Sequence, residues 1–483
     1  MTTTAVSSAR EIRGKLNYPI VDGDGHFLEM NPAFIEYIRE TEGEKWATAY
    51  TANPAFKRYY EPWSRKPEER WETWTAQNNL WGVPTKNTLD RATAMLPNLY
   101  AKRMDDLGID YSILYPSEGL FVAMINDAEL RQVATRAYNG FVAELVRPHA
   151  DRMTATATIP MDTPQEAIKH LEHAVKKLGM KTVCMAGFAL RPIRAAQKAM
   201  PQYAYLAQRV DYFGLDSEYD YDPVWAKCVE LKVAATFHSP SPLRAGRSVT
   251  NYTHNHIGSI AQAQEGLAKS LFFGGVPHRF PQLNFGFLEC GAAWACNLYG
   301  EIVGHWNKRS LKAMEYVDPA KLDRPRLLQL IAEHGDARMH RVEGKIKEYV
   351  NRYWEPLPKQ DDFAKTGVTK PEDVRDLFVP RYYIGCEADD RSVAWAFNTK
   401  INPFGQKIRA MFGSDIGHWD VLDVSGVVHE AHELVEEGLI TQEDFKEFMF
   451  SNPVELHARV NPNYFKGTRV EQAVAKFLKE GRK

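Results

Sequence analysis

Along this chain, short β-branched or aromatic runs bounded by turn residues alternate with stretches whose apolar positions recur at helical spacing. Eight runs predict strands, at 18–22 (YPIVD), 111–116 (YSILYP), 153–161 (MTATATIPM), 182–188, 233–238 (VAATFH), 283–289 (LNFGFLE), 382–387 (YYIGCE) and 409–415 (RAMFGSD). Between the third and fourth runs, residues 163–178 place Ala167, Leu171, Ala174 and Leu178 on one stripe, the pattern of an amphipathic helix. The segment DPVWAKCVEL predicts another helix just ahead of the fifth run. Eight strands interleaved with helices are what a closed parallel sheet requires, so the pattern predicts an α/β protein built as a (β/α)8 TIM barrel.

Three stretches break the rhythm, at about 40–100, 189–220 and 300–380. The first is rich in Trp, Tyr, Pro and charge, including Trp63, Trp71, Trp74 and Trp81; the last carries charged helical patterns such as RVEGKIKEYVNRYW. They read as long helical insertions over the C-terminal mouth of a single barrel domain spanning 1–483, or as oligomer surface. The tryptophans either hint at a hydrophobic, ring-bearing ligand or pack the insertion onto the barrel.

Composition narrows the function classes. With 60 basic against 62 acidic side chains, no field exists to recruit nucleic acid or an anionic membrane. The N-terminus lacks the apolar core of a secretory signal, and no apolar run reaches the ~18–20 residues of a membrane span. Five cysteines (Cys184, Cys228, Cys290, Cys296 and Cys386) fall without CxxC spacing, as reduced, buried thiols would. A cytoplasmic protein with a small-molecule substrate and no membrane or nucleic-acid partner is expected. Insertions of this size also suggest a homo-oligomer.

The densest chemical signal is Asp22-Gly-Asp24-Gly-His26. On an extended strand end, alternation would set Asp22, Asp24 and His26 on one side, where neighbours two apart can chelate one cation. His238 closes the fifth run and Asp415 the eighth, while Glu289 and Glu387 close the sixth and seventh. A barrel keeps its chemistry at the C-terminal ends of its strands, so this placement predicts a mixed N/O site for a divalent Zn, Mn or Fe, one ion or two. His418, three residues after Asp415, is a candidate proton carrier together with Glu387. Asp22 and His256 are candidates for supporting hydrogen bonds or a second ion.

On these residues the chain resembles the amidohydrolase-related metal enzymes, the amidohydrolase 2 group that includes relatives of aminocarboxymuconate-semialdehyde decarboxylase. The resemblance rests on VDGDGHFLE, LGIDYSILYPSEGL, ELRQVATRAYNGFVAELVRPHADRMTATATIPM, FHSPSP, FPQLNFGFLECGAAW, FGSDIGHWD and FMFSNPVELHARV, in that order. It implies a barrel with metal ligands at Asp24, His26, His238 and Asp415. Three departures stand out: the first-strand pair is Asp-x-His rather than His-x-His, the fourth strand TVCMAGF lacks the lysine that forms a bridging carbamate, and Glu289 stands where histidine is common. Other ligands for a second ion would then come from Glu289, Glu387, His256 or His418. The implied function is a metal-dependent hydrolase or nonoxidative decarboxylase acting on a carbonyl- or carboxyl-bearing, possibly cyclic small molecule. A non-heme diiron monooxygenase and a catalytically inactive, metal-stabilised binding protein are the alternatives.

Overall fold

A computed structural model describes residues 3–53, 66–77, 86–242, 246–353 and 361–481. Eight parallel strands follow one another around the barrel: β1 (Val21–Phe27), β2 (Tyr111–Pro116), β3 (Met153–Ile159), β4 (Thr182–Met185), β7 (Ala235–Phe237), β8 (Phe285–Phe287), β9 (Tyr382–Cys386) and β10 (Arg409–Phe412). Two further strands, β5 (Ala189–Pro192) and β6 (Gln208–Asp211), pair antiparallel as a separate hairpin. The barrel strands are buried along their whole length, with small polar residues such as Thr154, Thr156 and Thr158 of β3 enclosed among the apolar ones.

Two of the barrel helices start at side-chain caps. Asp127 accepts from the Leu130 N–H ahead of the helix Ala128–Val146, and Thr163 accepts from the Glu166 N–H ahead of Pro164–Glu172. The helix expected over 163–178 ends at Glu172 and continues as a wider π-helical turn, His173–Lys177. The predicted fifth and sixth strands shrink to three residues each, with their polar ends outside the ladder.

The first strand is the main difference. It was expected over 18–22 but runs Val21–Phe27, so Asp22, Asp24 and His26 all lie inside it. Against β2 the register shifts between Asp22 and Gly25, so the plain two-residue alternation does not carry Asp22 to the side of the other two. Instead the Asp22 carboxylate stitches three strands together. It accepts from Ser112 Oγ (2.7 Å), Ser414 Oγ (2.7 Å), the Ser414 N–H (2.9 Å) and the Asp24 N–H (3.3 Å). The Asp415 N–H reaches the Asp24 carbonyl at 3.1 Å, joining the chain beyond β10 to β1. Gly25 is required beside this stitch, because a Cβ there would sit 2.5 Å from Asp22 Oδ2 and 2.7 Å from Ser112 Oγ.

The irregular stretches take several forms. Residues 189–220 include the hairpin, held by Arg191 against Asp211 at 3.2 Å. Residues 300–380 hold largely exposed helices, among them Arg324–His334 and Glu343–Tyr353. In the first insertion Trp63 and Trp81 lie outside the described residues, while Trp71 and Trp74 are exposed and meet edge to face at 5.0 Å. Among the described residues no helix is long and apolar enough to cross a membrane, and all five cysteines are free thiols.

Candidate metal centre

The strand ends bring the candidate residues to one rim. Asp24 and His26 come from β1, His238 directly follows β7, Glu289 lies two residues beyond β8, Glu387 follows β9 and Asp415 lies three beyond β10. His26 Nε2 is the hub: it lies 3.0 Å from His238 Nε2, 3.5 Å from Asp415 Oδ1, 3.6 Å from Asp24 Oδ1 and 3.9 Å from Glu289 Oε2. His238 Nε2 is 2.8 Å from Glu289 Oε2, and His418 Nδ1 is 2.6 Å from Asp415 Oδ1. All six of these side chains are buried.

Two backbone positions are unusual. Glu289 and Asp415 both have φ 47°, the left-handed region that side chains other than glycine seldom adopt. Such strain costs about 1–3 kcal/mol per residue and persists only where the surroundings enforce it. Both residues belong to the buried cluster at the strand ends.

The charges are crowded and carry the marks of burial. Burial, with the charges of Glu289 and Asp22, pushes Asp24 up to about 7. Burial, with Glu289, Asp420 and Glu387 nearby, holds Asp415 well above the ordinary carboxylate range. His26 is held well below the usual imidazole value by burial and by His418 and His238. Burial opposes charge on His238 and His418, yet Glu289 outweighs it and raises both, and the two imidazoles hold Glu289 well below its ordinary value.

The donor set fits a divalent metal. Asp24 Oδ1, Glu289 Oε1 and Asp415 Oδ2 are buried yet receive no hydrogen bond, which is costly unless a cation takes the place of the missing donors. Two imidazole nitrogens at 3.0 Å match the roughly 3 Å between adjacent ligand atoms on one ion with bonds of about 2.0–2.1 Å. The groups Asp24–His26–His238 and His26–Glu289–Asp415–His418 each bring ligand atoms within 4.8 Å of one another. This cluster is able to hold a divalent metal.

The remaining candidates fall around it. Asp22 has its oxygens committed to the stitch. Glu387 is half-buried beside Asp415 and Asp420, and burial, then the charges of Glu289, Asp420 and Asp389, push it up to about 8. His256 is half-buried, its ring 5.3 Å from that of Trp419. Beside these lies a cavity of about 350 Å³, lined by His256, Glu289, Glu387, Asp389, Asp390 and Asp420 among others.

Sequence reasoning missed Asp420, Ser117 and Glu29. Asp420 closes FGSDIGHWD, so its membership of that motif was the available signal. Ser117 Oγ sits between His26 Nδ1 (3.4 Å) and His418 Nε2 (3.3 Å). Its turn is pinned by Glu29, whose carboxylate accepts from the N–H groups of Ser117 (3.2 Å), Glu118 (2.8 Å) and Gly119 (3.0 Å) and from Tyr138 Oη (2.5 Å). Nothing in a lone Ser or Glu announces such a role.

Residues 21–340 match the profile of the amidohydrolase family. The chain belongs to that family. Among curated relatives, the γ-resorcylate decarboxylase of Polaromonas sp. strain JS666 is 30% identical over 140 residues, 29% of this chain and 38% of that enzyme. The chain thus matches well under half of that relative's length. An amidohydrolase of Mycobacterium avium subsp. paratuberculosis K-10 has the same fold, with a TM-score of 0.50 at 16% identity, covering 91% of this chain and 99% of that one. A 5-carboxyvanillate decarboxylase of Novosphingobium aromaticivorans DSM 12444, solved with manganese and 4-hydroxy-3-methoxy-5-nitrobenzoic acid, aligns with a TM-score of 0.48 at 14% identity over 92% of this chain and 97% of that one. In this amidohydrolase the strand β4 reads TVCM, with no lysine, and Glu289 lies where its carboxylate meets His238.

Proposed function

We propose that this amidohydrolase is a metal-dependent, nonoxidative decarboxylase of a ring-bearing carboxylic acid. The observation that carries the proposal is the buried set Asp24, His26, His238 and Asp415, with carboxylate oxygens lacking hydrogen-bond donors, at the C-terminal rim of one barrel domain. The partial similarity to a γ-resorcylate decarboxylase supports this chemistry over amide hydrolysis. A divalent ion held by these four residues would act as a Lewis acid, polarising a substrate oxygen.

The chain's own residues supply the rest. Decarboxylation breaks the bond between ring carbon and carboxylate, releases CO2, and leaves an electron pair on the ring carbon that a proton must meet. His418 is the candidate donor of that proton: Glu289 raises its hold on a proton against burial, and Asp415 Oδ1 at 2.6 Å fixes its ring. Ser117 Oγ, 3.3 Å from its other nitrogen, offers a route for reprotonation. Glu289 Oε2 lies 2.8 Å from His238 Nε2, the nitrogen that faces His26, so its carboxylate is a further candidate ligand of the ion.

The test is manganese-loaded protein assayed without dioxygen against a panel of hydroxylated benzoic acids, with CO2 release and ring product both measured. CO2 and protonated ring in equal amounts, lost on chelation and restored by manganese, is the expected result. Turnover only in the presence of dioxygen would replace this reading with an oxygenase. Cleavage only of amides or lactones would replace it with a hydrolase.

A further inference from the structure

We propose that residues 311–352 form a docking arm whose partner is a second copy of this chain, the two arms lying antiparallel across a two-fold axis. None of the metal-centre residues takes part, so the dimer and the proposed reaction stand or fall separately.

The arm is built without a core. It leaves the barrel after the helix Ala293–Arg309 and passes through two 3-10 turns, Ala313–Val317 and Pro319–Lys321, then three helices, Arg324–His334, Ala337–Arg341 and Glu343–Tyr353. From Ser310 to Tyr349 no residue is buried, and Val350 is the first that is. Helices shorter than about 12–15 residues are marginal in water by themselves, and in proteins they are held by packing an apolar face. None of the three exceeds 11 residues, so the arm needs a surface to lie on.

The apolar residues left open are those such a surface would cover. Tyr316 is 95% exposed and Val317 61%, and Leu311, Met339, Val342 and Tyr349 are exposed as well. A large apolar side chain offers on the order of 150–200 Å² when open, so these six leave roughly 500–700 Å² uncovered. The half-buried Leu327, Leu328, Leu330 and Ile331 of Arg324–His334 add to that. A standard interface takes about 800 Å² from each partner, so the arm alone comes close to what a stable dimer needs.

Charge selects the occupant. Residues 310–353 carry nine basic and seven acidic side chains, a balance that suits neither nucleic acid nor an anionic membrane. The signs are unevenly placed along the arm. Residues 310–323 hold three acids against two bases, and 324–353 hold seven bases against four acids. Two arms laid antiparallel set the basic stretch of one against the acidic end of the other. Each contact then occurs twice, with the roles of the copies exchanged, which is the self-complementarity a two-fold dimer requires.

Sedimentation equilibrium of the full-length, manganese-loaded protein at micromolar concentration measures the assembly, and two chains per particle is the expected result. Tyr316→Asp combined with Val317→Asp places charge in the apolar centre of the arm and should raise the dimer dissociation constant at least about 100-fold, with circular dichroism confirming the fold. If that variant does not fold, Met339→Lys combined with Val342→Lys, at the other end of the arm, should weaken the dimer in the same way. Amine cross-linking of mixed light and heavy-isotope chains then reads the contact itself. Links should join Lys312 or Lys321 of one copy to Lys345 or Lys347 of the other. A monomer at every concentration tested would overturn the proposal, as would a dimer equally tight in the folded variants. A dimer whose links between copies all fall outside residues 311–352 would overturn it too. A monomer that binds heparin through the arm would assign this surface to a polyanion instead. The decarboxylation assay is scored apart from all of these.

Discussion

The Asp22 stitch can be weighed by removing it. Asp22→Ala deletes the acceptor for two hydroxyls and two backbone N–H groups, all in a buried position. The hydroxyls of Ser112 and Ser414 can rotate toward other acceptors, but the N–H groups of Ser414 and Asp24 are fixed by the barrel. Leaving a buried donor unsatisfied costs about 1–3 kcal/mol, so two give a loss of roughly 2–6 kcal/mol. Burial raises the Asp22 carboxyl despite its four donors, so removing it also relieves a desolvation penalty and the loss should fall toward the lower end of that range. Urea denaturation of the metal-free protein, with an unchanged m value, measures this directly. Asp22→Asn keeps one acceptor oxygen for the N–H groups and should lose less than half as much. The two anchored N–H groups belong to Asp24 itself and to the neighbour of Asp415, so the Ala variant should also bind manganese about 10–100-fold more weakly. A midpoint shift worth less than about 1 kcal/mol, or Asn costing as much as Ala, would refute the stitch.

Other perturbations read other parts of the site. Glu29→Ala leaves three buried N–H groups of the Ser117 turn without their acceptor and should cost about 3–9 kcal/mol in denaturation; Glu29→Gln should restore much of it, and equal losses from both would count against the role. Asp415→Asn should lower manganese affinity by at least about 100-fold by calorimetric titration while secondary structure is kept; unchanged affinity would remove Asp415 from the ligand set. In the metal-free protein Asp24 is raised to about 7 and Glu387 to about 8, and His238 and His418 are raised as well. The folded chain then holds protons that the unfolded chain has released, so this contribution to stability is present at low pH and lost as pH rises through these values. The Tm of chelated protein should therefore fall between about pH 6 and 9, whereas the stabilisation gained on adding manganese should grow, because the ion displaces those protons. A chelated Tm that climbs across that window would contradict the sign.

The alternation of apolar runs with helical spacing was enough to place eight strands and to mark the residues at their ends. A parallel strand covered on both faces is mostly apolar, so a charged or imidazole side chain at its C-terminal end stands out. His238, Glu289, Glu387 and Asp415 stood out for that reason, and Asp24 and His26 through their spacing between glycines. The local sequence could not tell where β1 begins, because the shift in pairing at Asp22 depends on β2 and on the chain after β10, distant in sequence. Only the closed barrel brings Ser112 and Ser414 to the same carboxylate and separates Asp22 from the cluster. The left-handed turns at Glu289 and Asp415 are imposed by packing against residues' own intrinsic preference, so no propensity forecasts them. Ser117, Glu29 and Asp420 gain their roles from neighbours up to 301 positions away, as between Ser117 and His418. The residue types of this chemistry are therefore a local property of the chain, whereas their distances, shared charges and missing hydrogen bonds arise only when the strand ends meet around one rim.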